Sequence, residues 1–381
     1  MLYLPKILNY QKTLKKKYSI PIIWFSSSFF VSMFFGLQYR NMIGFTDFNS
    51  SFGGVLTIVL MFVPMQLIFI FMVYLSIDTI GDIKFYLKVM IISGILVNVI
   101  GFVMLMSAGF TPGKLGVTFS DPNYFGRFEV FMLIICSFFI FFSPKLSVYK
   151  KNILFLFGVT CIIFLLLSFS RAAILSVGFI SVITLFYIKS KFLKVTVAIC
   201  AVVLVFLFLS FVASTKSSDL LLTNQFGIFS SFIDLSNATR IALNIASVNM
   251  FIDHPLFGVG FRNFYNAYIN YSYVPFDIPL SVAITVVHSW FFSVIGEQGL
   301  FGLIPLLWLI FAINKDLRKI LKDTRIDREF YVVAIVLYFL FVALIFNGFF
   351  NPIFFTELAF STIAGLIGGL FKIYTLNYDS K

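Results

Sequence analysis

Charged residues are scarce in this chain. They make up 12% of its 381 residues, whereas hydrophobic residues make up 60% and the mean hydropathy is +1.01. A soluble domain carries about 25% charged residues, and no soluble fold of this size has enough interior to hide so much apolar surface. We therefore expect a polytopic helical membrane protein of the all-α class. The apolar runs also lack the period-2 alternation that is typical of membrane β-barrels.

Cysteine and histidine are also rare, with three cysteines and two histidines in the whole chain. Cys136, Cys161 and Cys200 all fall inside apolar runs, so their spacing supports neither a disulfide framework nor a metal site. The acidic residues of the predicted external segments are scattered, without D-x-D or H-x-x-H spacing. This pattern argues against a divalent-metal enzyme, and the sequence predicts no cofactor.

About ten stretches are apolar and long enough to cross a bilayer, which takes roughly 20 residues. The predicted spans cover residues 20–38, 52–76, 86–107, 124–143, 153–169, 172–188, 195–213, 288–313, 330–349 and 353–374. Residues 1–381 are therefore predicted to form a single integral membrane domain. The first span follows a lysine cluster, as in a signal peptide, but no small-residue cleavage site follows it, so we expect it to be retained.

One arginine interrupts a long apolar run. The run extends from Ile153 to Ile188, and as one helix it would be about 54 Å long, against a hydrocarbon core of about 30 Å. It must therefore contain two spans, and its only polar break is the stretch SFSR at 168–171. Arg171 is thus predicted to lie in a tight hairpin at the membrane surface.

The positive charges indicate which side of the membrane each segment faces. With a cytoplasmic N-terminus, 21 of the 28 lysines and arginines fall in cytoplasmic segments and 7 fall in external ones. A bias of this kind sets the orientation of a polytopic protein. The net charge of +12 is then mostly a topogenic signal that faces anionic lipid, and it does not indicate a nucleic-acid partner.

The longest external segment, residues 214–287, contains a predicted surface helix. In the stretch NATRIALNIASVNMF, Asn237 is a candidate helix cap and Arg240 lies on the polar face, opposite an isoleucine-rich apolar face. Such a helix is expected to lie along the membrane surface. The GVG at 258–260 lacks the preceding strand and the third glycine of a dinucleotide fingerprint, and it predicts a turn instead.

Arginines in the external segments are candidates for binding an anion. Four of them follow polar or turn residues: Arg127, Arg171, Arg240 and Arg262. The planar guanidinium fork suits phosphate and pyrophosphate, which it can hold through two parallel hydrogen bonds. The alternative is that each arginine only reaches a lipid headgroup.

Four further residues are candidates for chemistry or binding. His288, at the outer mouth of the eighth span, is a candidate general base. Glu297 lies inside that span, and an intramembrane carboxylate either pairs with an arginine or lines a cavity. The tripeptide DPN at 121–123 predicts an Asx-turn, which would present Asp121 or Asn123 to a ligand.

Several of these motifs, taken in order, resemble the O-antigen ligase and O-antigen polymerase superfamily. They are TFSDPNYFG, LSFSRAA, ATRIALNIASVNMFIDHPLFGVGFRNF and VVHSWFFSVIGEQGLFGLIPLL, spread over residues 111–312. The first three spans carry no such signature, and family members often have more spans than this chain.

The resemblance implies a C-type membrane glycosyltransferase that is metal-independent and inverting. Its donor would be an undecaprenyl-pyrophosphate-linked oligosaccharide, with Arg171 and Arg240 on the pyrophosphate and His288 taking the proton from the acceptor hydroxyl. Substrate-binding roles would fall to Arg262, Asp121, Asn123, Arg127 and Glu297. The resemblance also implies that the protein lies in the bacterial inner membrane with its active site facing the periplasm. It further implies three other partners, namely the glycan acceptor, membrane lipid and a chain-length regulator.

The acceptor distinguishes two functions that use nearly the same donor. A polymerase of O-antigen or capsular polysaccharide transfers the glycan to another lipid-linked repeat unit, whereas a ligase transfers it to lipid A core. The short chain, the phenylalanine-rich spans and the single modest external loop favour the polymerase. A non-catalytic lipid-linked-sugar transporter is the alternative from another class, but it would need cationic residues along a central cavity through many spans.

Overall fold

The structure, a computed structural model, describes residues 16–35, 52–108, 116–119, 121–143, 146–187, 194–195, 235–271, 287–351 and 358–379. Within these ranges the regular elements are helices. They are α1 (Lys16–Phe35), α2 (Phe52–Ser76), α3 (Ile80–Ala108), α4 (Pro122–Phe142), α5 (Val148–Leu167), α6 (Arg171–Thr184), α7 (Leu235–Asp253), α8 (Phe264–Tyr271), α9 (Trp290–Lys322), α10 (Arg328–Gly348) and α11 (Leu358–Tyr374), followed by a π-helical turn at Thr375–Asp379.

The expectation of a polytopic helical membrane protein is confirmed. Among the described residues, α3, α4, α5, α9 and α10 are long and apolar enough to cross a membrane. Nine of the ten predicted spans coincide with a helix, from α1 to α6 and from α9 to α11. The remaining predicted span, 195–213, lies almost wholly outside the described residues, as does much of the predicted external segment 214–287. The count of ten spans therefore stays a prediction.

Local sequence explains where several helices begin. Asp121, Ser147, Ser170 and Asp327 each precede a helix, and each side chain accepts a hydrogen bond from a backbone N–H of the first turn. Such caps satisfy amide groups that have no partner inside the helix. The predicted cap at Asn237 is wrong, because α7 already begins at Leu235 and Asn237 lies within its first turn.

The chain divides into two compact units. The first unit contains Met1–Tyr74, Leu235–Lys319 and Pro352–Ser380, and the second contains Leu75–Asp234, Ile320–Asn351 and Lys381. Each unit is therefore assembled from segments that are distant in the sequence.

In the second unit, α4 packs against α3, α5, α6 and α10. Helices α4 and α10 are largely buried, and the rings of Phe138 and Phe339 join them at a centroid distance of 4.6 Å. Helices α3 and α5 instead expose apolar side chains such as Ile92, Leu96 and Phe155. Exposed apolar faces of this kind on a membrane-spanning helix contact lipid.

In the first unit, a small residue and a polar contact bring helices close together. Gly365 of α11 lies so near α2 that a Cβ atom there would come within 2.6 Å of the Val73 side chain. The hydroxyl of Ser28 in α1 donates a hydrogen bond to Gln298 Oε1 in α9 at 2.6 Å. Small residues and interhelical hydrogen bonds are common means of helix association in membranes.

Each unit also contains an ion pair near helix ends that are predicted to be cytoplasmic. Lys17 of α1 pairs with Asp316 of α9 in the first unit. Lys84 of α3 pairs with Glu329 of α10 in the second. These positions agree with the orientation expected from the positive charges, which remains a prediction.

We predict that Thr118 faces the outside and that Tyr149 faces the cytoplasm. Both side chains are exposed, so a cysteine at either position can react with a reagent that reaches it. On a background without Cys136, Cys161 and Cys200, a membrane-impermeant maleimide added to intact spheroplasts should label Thr118→Cys and not Tyr149→Cys. The reverse labelling pattern would invert the orientation and contradict an external active site.

Candidate functional site

The predicted hairpin at Arg171 is present in the second unit. Helix α5 ends at Leu167 and α6 begins at Arg171, with Ser168, Phe169 and Ser170 forming the turn. The Ser170 hydroxyl caps α6 by accepting the Ala173 N–H at 3.4 Å, and Phe169 adopts a left-handed φ of 50°. The half-exposed Arg171 thus occupies the first residue of a helix, where the helix dipole favours an anion.

Residues at the start of α4 form hydrogen bonds that hold this hairpin in place. Asp121 Oδ1 accepts hydrogen bonds from the backbone N–H and the side-chain amide of Asn123, at 2.7 and 2.9 Å. The Ser170 hydroxyl in turn donates to Asn123 Oδ1 at 3.1 Å. The predicted Asx-turn at Asp121 is confirmed. Because these groups bind one another, the structure gives Asp121 and Asn123 a role in holding the turn that precedes Arg171.

Two residues in the first turns of α4 lie where α4 meets the Arg171 hairpin. Gly126 packs against the turn, since a Cβ atom there would come within 2.8 Å of Ser170 Cβ. Arg127 is 1% exposed, and its guanidinium carbon lies 4.9 Å from the ring centroid of Tyr124. The sequence suggested an arginine in an external loop, whereas the structure buries Arg127 within the unit.

In the first unit, helix α9 is broken at Gly299, where φ is 61° and ψ is −152°. A break in a membrane helix frees backbone groups that lipid cannot satisfy. Residues 255–260, which we name the docking segment, supply their partners. Four hydrogen bonds of 2.8–3.0 Å run from N–H to C=O: Leu300 to Pro255, Phe301 to Leu256, Val259 to Gly296, and Gly260 to Glu297.

Glycines permit this close approach. Gly258 and Gly260 have positive φ values of 65° and 98°, which confirms the turn predicted at GVG. A Cβ atom at Gly299 would lie 2.6 Å from the carbonyl oxygen of Pro255. The motifs HPLFGVG and EQGLFG are therefore two halves of one structural feature.

Glu297 lies at this break and is 6% exposed. Its Oε1 accepts the Phe264 N–H at 3.3 Å, and its Oε2 accepts the Ser293 hydroxyl at 3.3 Å. The backbone N–H of Arg262 also donates to this carboxylate, and the Arg262 charge interacts with it electrostatically. Glu297 thus meets an arginine through the arginine backbone, and the two side chains form no ion pair.

Arg240 is half-exposed in α7. A face of small and apolar residues, with Leu243, Ala246 and Met250, packs into the core of the first unit. The apolar face identified in the sequence is exposed at Ile241 and Ile252, as a helix that lies along the membrane surface requires.

His288 precedes α9 by two residues and is half-exposed between the buried Val287 and Ser289. The Ser289 hydroxyl accepts the Phe292 N–H at 3.4 Å and so caps the helix. His288 is therefore held at a helix N-terminus, as Arg171 is.

The eight predicted site residues divide equally between the two units. Asp121, Asn123, Arg127 and Arg171 belong to the second unit, and Arg240, Arg262, His288 and Glu297 belong to the first. The second unit joins Asp121 and Asn123 to the hairpin of Arg171, and the first unit joins Arg262 to Glu297. Within the described ranges, no group of three or more His, Cys, Asp or Glu side chains is placed to hold a metal ion.

Sequence reasoning overlooked Glu129 of α4, which is fully buried. Its Oε2 accepts from Asn98 Nδ2 of α3 at 3.5 Å, and the same amide group donates to Thr160 Oγ1 of α5 at 3.2 Å. This polar cluster ties three helices together inside the second unit. The available signal was a lone carboxylate within an apolar run, since such a residue usually has a partner in another helix.

These features define a helical membrane protein whose polar residues gather at helix starts and at a broken helix. Residues 154–307 match the O-antigen ligase family. This match supports the resemblance to the O-antigen ligase and polymerase superfamily that the order of the motifs predicted, and it supports a glycosyltransferase-type activity. The match includes the Arg171 hairpin, α7, the docking segment and the break in α9. A comparison with curated proteins finds no match.

Proposed function

We propose that the chain is a polysaccharide polymerase that transfers an undecaprenyl-pyrophosphate-linked glycan to another lipid-linked repeat unit. The observation that carries the proposal is Arg171 at the first residue of α6, inside the region that matches the O-antigen ligase family. A helix N-terminus and a guanidinium together suit a phosphate anion. The proposed reaction releases undecaprenyl pyrophosphate, whose pyrophosphate group is the anion to be bound.

In the proposed reaction, the bond between the anomeric carbon and the pyrophosphate oxygen breaks as the acceptor hydroxyl oxygen attacks that carbon. Negative charge grows on the leaving pyrophosphate, and Arg171 and Arg240 stabilise it. His288 takes the proton of the attacking hydroxyl. Attack from the face opposite the leaving group inverts the anomeric carbon.

A ligase is the second candidate, and the description of the matching family favours it. The donor and the proposed roles of the arginines and of His288 would be the same. Only the acceptor would change, from a lipid-linked repeat unit to lipid A core.

Purified protein given a lipid-linked repeat unit alone tests the proposal. We expect a ladder of products longer than one unit, formed at the same yield in excess EDTA, because arginines take the charge-stabilising role that a metal ion has in other enzymes. Products that form only after addition of lipid A core would assign the ligase reaction. Loss of transfer in EDTA with recovery in magnesium or manganese would overturn metal independence, and no transfer to either acceptor would overturn the proposed activity.

A further inference from the structure

The loop between the docking segment and α8 is held by one buried carboxylate. Glu297 binds the backbone N–H groups of both Arg262 and Phe264. The neighbouring residues Phe261 and Asn263 are also buried, and Asn263 Nδ2 donates to the Val259 carbonyl at 3.0 Å. The backbone around Arg262 is therefore fixed on both sides.

Arg262 has an unusual backbone conformation. Its φ is 59°, in the left-handed region where a side chain costs free energy. A residue other than glycine persists there only when the surrounding structure imposes the conformation, and such residues cluster at functional sites. The hydrogen bond from Arg262 N–H to Glu297 is a direct source of that constraint.

The Arg262 side chain is in a different situation from its backbone. The residue is half-exposed, and among the described residues its guanidinium makes neither a hydrogen bond nor an ion pair within 4.0 Å. The oxygens of Glu297 accept from backbone N–H groups and from Ser293. The guanidinium therefore retains its donors for another anion.

We propose that Glu297 is a positioning residue that holds Arg262 so that its guanidinium binds the pyrophosphate of the lipid-linked donor. This inference rests on the proposed function, because that function supplies the anion. It replaces the substrate-binding role that the sequence suggested for Glu297. A carboxylate that is buried and occupied by protein donors does not contact substrate, and it acts through the arginine.

The choice of substitutions separates positioning from charge. In Glu297→Gln, the amide oxygen can still accept the Phe264 N–H and the NH₂ group can donate to the Ser293 hydroxyl, so the loop should stay in place. In Glu297→Ala these bonds are lost. We expect Glu297→Ala and Arg262→Ala each to raise the KM for the donor by roughly ten- to a hundredfold, with a smaller change in kcat. Glu297→Gln should stay within a few-fold of the wild type.

Two further variants sharpen the comparison. Because Glu297 acts through Arg262, the double variant Glu297→Ala/Arg262→Ala should be no worse than Arg262→Ala alone. Ser293→Ala removes one bond to Glu297 and leaves both backbone bonds, so its KM should remain near that of the wild type. A loss in Glu297→Gln equal to that in Glu297→Ala would assign Glu297 a charge-dependent role and overturn the positioning role. Independent, multiplicative losses in the double variant would do the same.

A measurement without glycan transfer separates this inference from the proposed function. On a background without the three native cysteines, Arg262→Cys is labelled with a water-soluble thiol reagent, with and without Glu297→Ala. We expect the labelling rate to change severalfold when Glu297 is removed and to remain the same with Glu297→Gln. An unchanged rate in both would overturn the positioning role. If the labelling rate changes but the protein transfers no glycan, Glu297 still holds the loop in place, and only the binding of donor pyrophosphate by Arg262 is overturned.

Discussion

Arg171→Ala is expected to nearly abolish polymer formation while the protein stays in the membrane at a normal level. Removing one donor from a site that stabilises developing negative charge costs roughly 2.7–4 kcal/mol, or about 10²–10³ in rate. Folding should not suffer, because Ser170 caps α6 and the Arg171 side chain is half-exposed. A gel of the polysaccharide beside a blot for the protein measures both effects.

Two variants control this result. Arg171→Lys keeps the charge and loses the bidentate fork, so it should restore only part of the activity. Lys150→Ala removes an exposed cation from the other end of α5 and should leave the polymer unchanged. Polymer of normal length and amount from Arg171→Ala would mean that Arg171 only reaches lipid headgroups.

The hairpin at Arg171 was predictable because its cause is local. An apolar run longer than the bilayer must turn, and the one cluster of polar residues within it, SFSR at 168–171, marks the turn. The helices on either side follow from apolar length in the same way, as do the starts of α4, α5 and α10, whose caps are adjacent in sequence to the helices they stabilise. Features of this kind can be predicted without knowing which distant segments contact one another.

The break in α9 was not predictable for the opposite reason. Glycine in a helix does not by itself imply a break, and here the freed backbone groups find partners about forty residues away in the docking segment. The roles of Glu297, Asp121 and Asn123 depend on such pairings as well. The sequence indicated that Glu297 needs a hydrogen-bond partner. Because that partner is a backbone N–H, the residue types could not identify it. The same residue types therefore suggested ligand binding, whereas the structure uses them to hold two turns that carry arginines.

Gly258→Ala is expected to prevent accumulation of the folded protein. Gly258 has a φ of 65°, and an added Cβ atom would lie 2.4 Å from the carbonyl carbon of Glu297 and 2.5 Å from the nitrogen of Gln298. Both are backbone atoms, and the hydrogen bonds across the break in α9 keep them from moving aside. Strain in the left-handed region and overpacking together cost roughly 2–6 kcal/mol. Thermal unfolding and size-exclusion profiles in detergent, with a blot of the membrane fraction, measure the loss.

Gly158→Ala is the matched control for this substitution. Gly158 lies inside α5, and an added Cβ atom would meet nothing within 4 Å. Since alanine is favoured over glycine within a helix by about 1 kcal/mol, this variant should be as stable as the wild type or slightly more so. If Gly258→Ala behaves like Gly158→Ala, the docking segment does not pair with the broken helix at Gly299. The constraint that places Arg262 beside Glu297 would then lose its basis, because the same docking brings the two residues together.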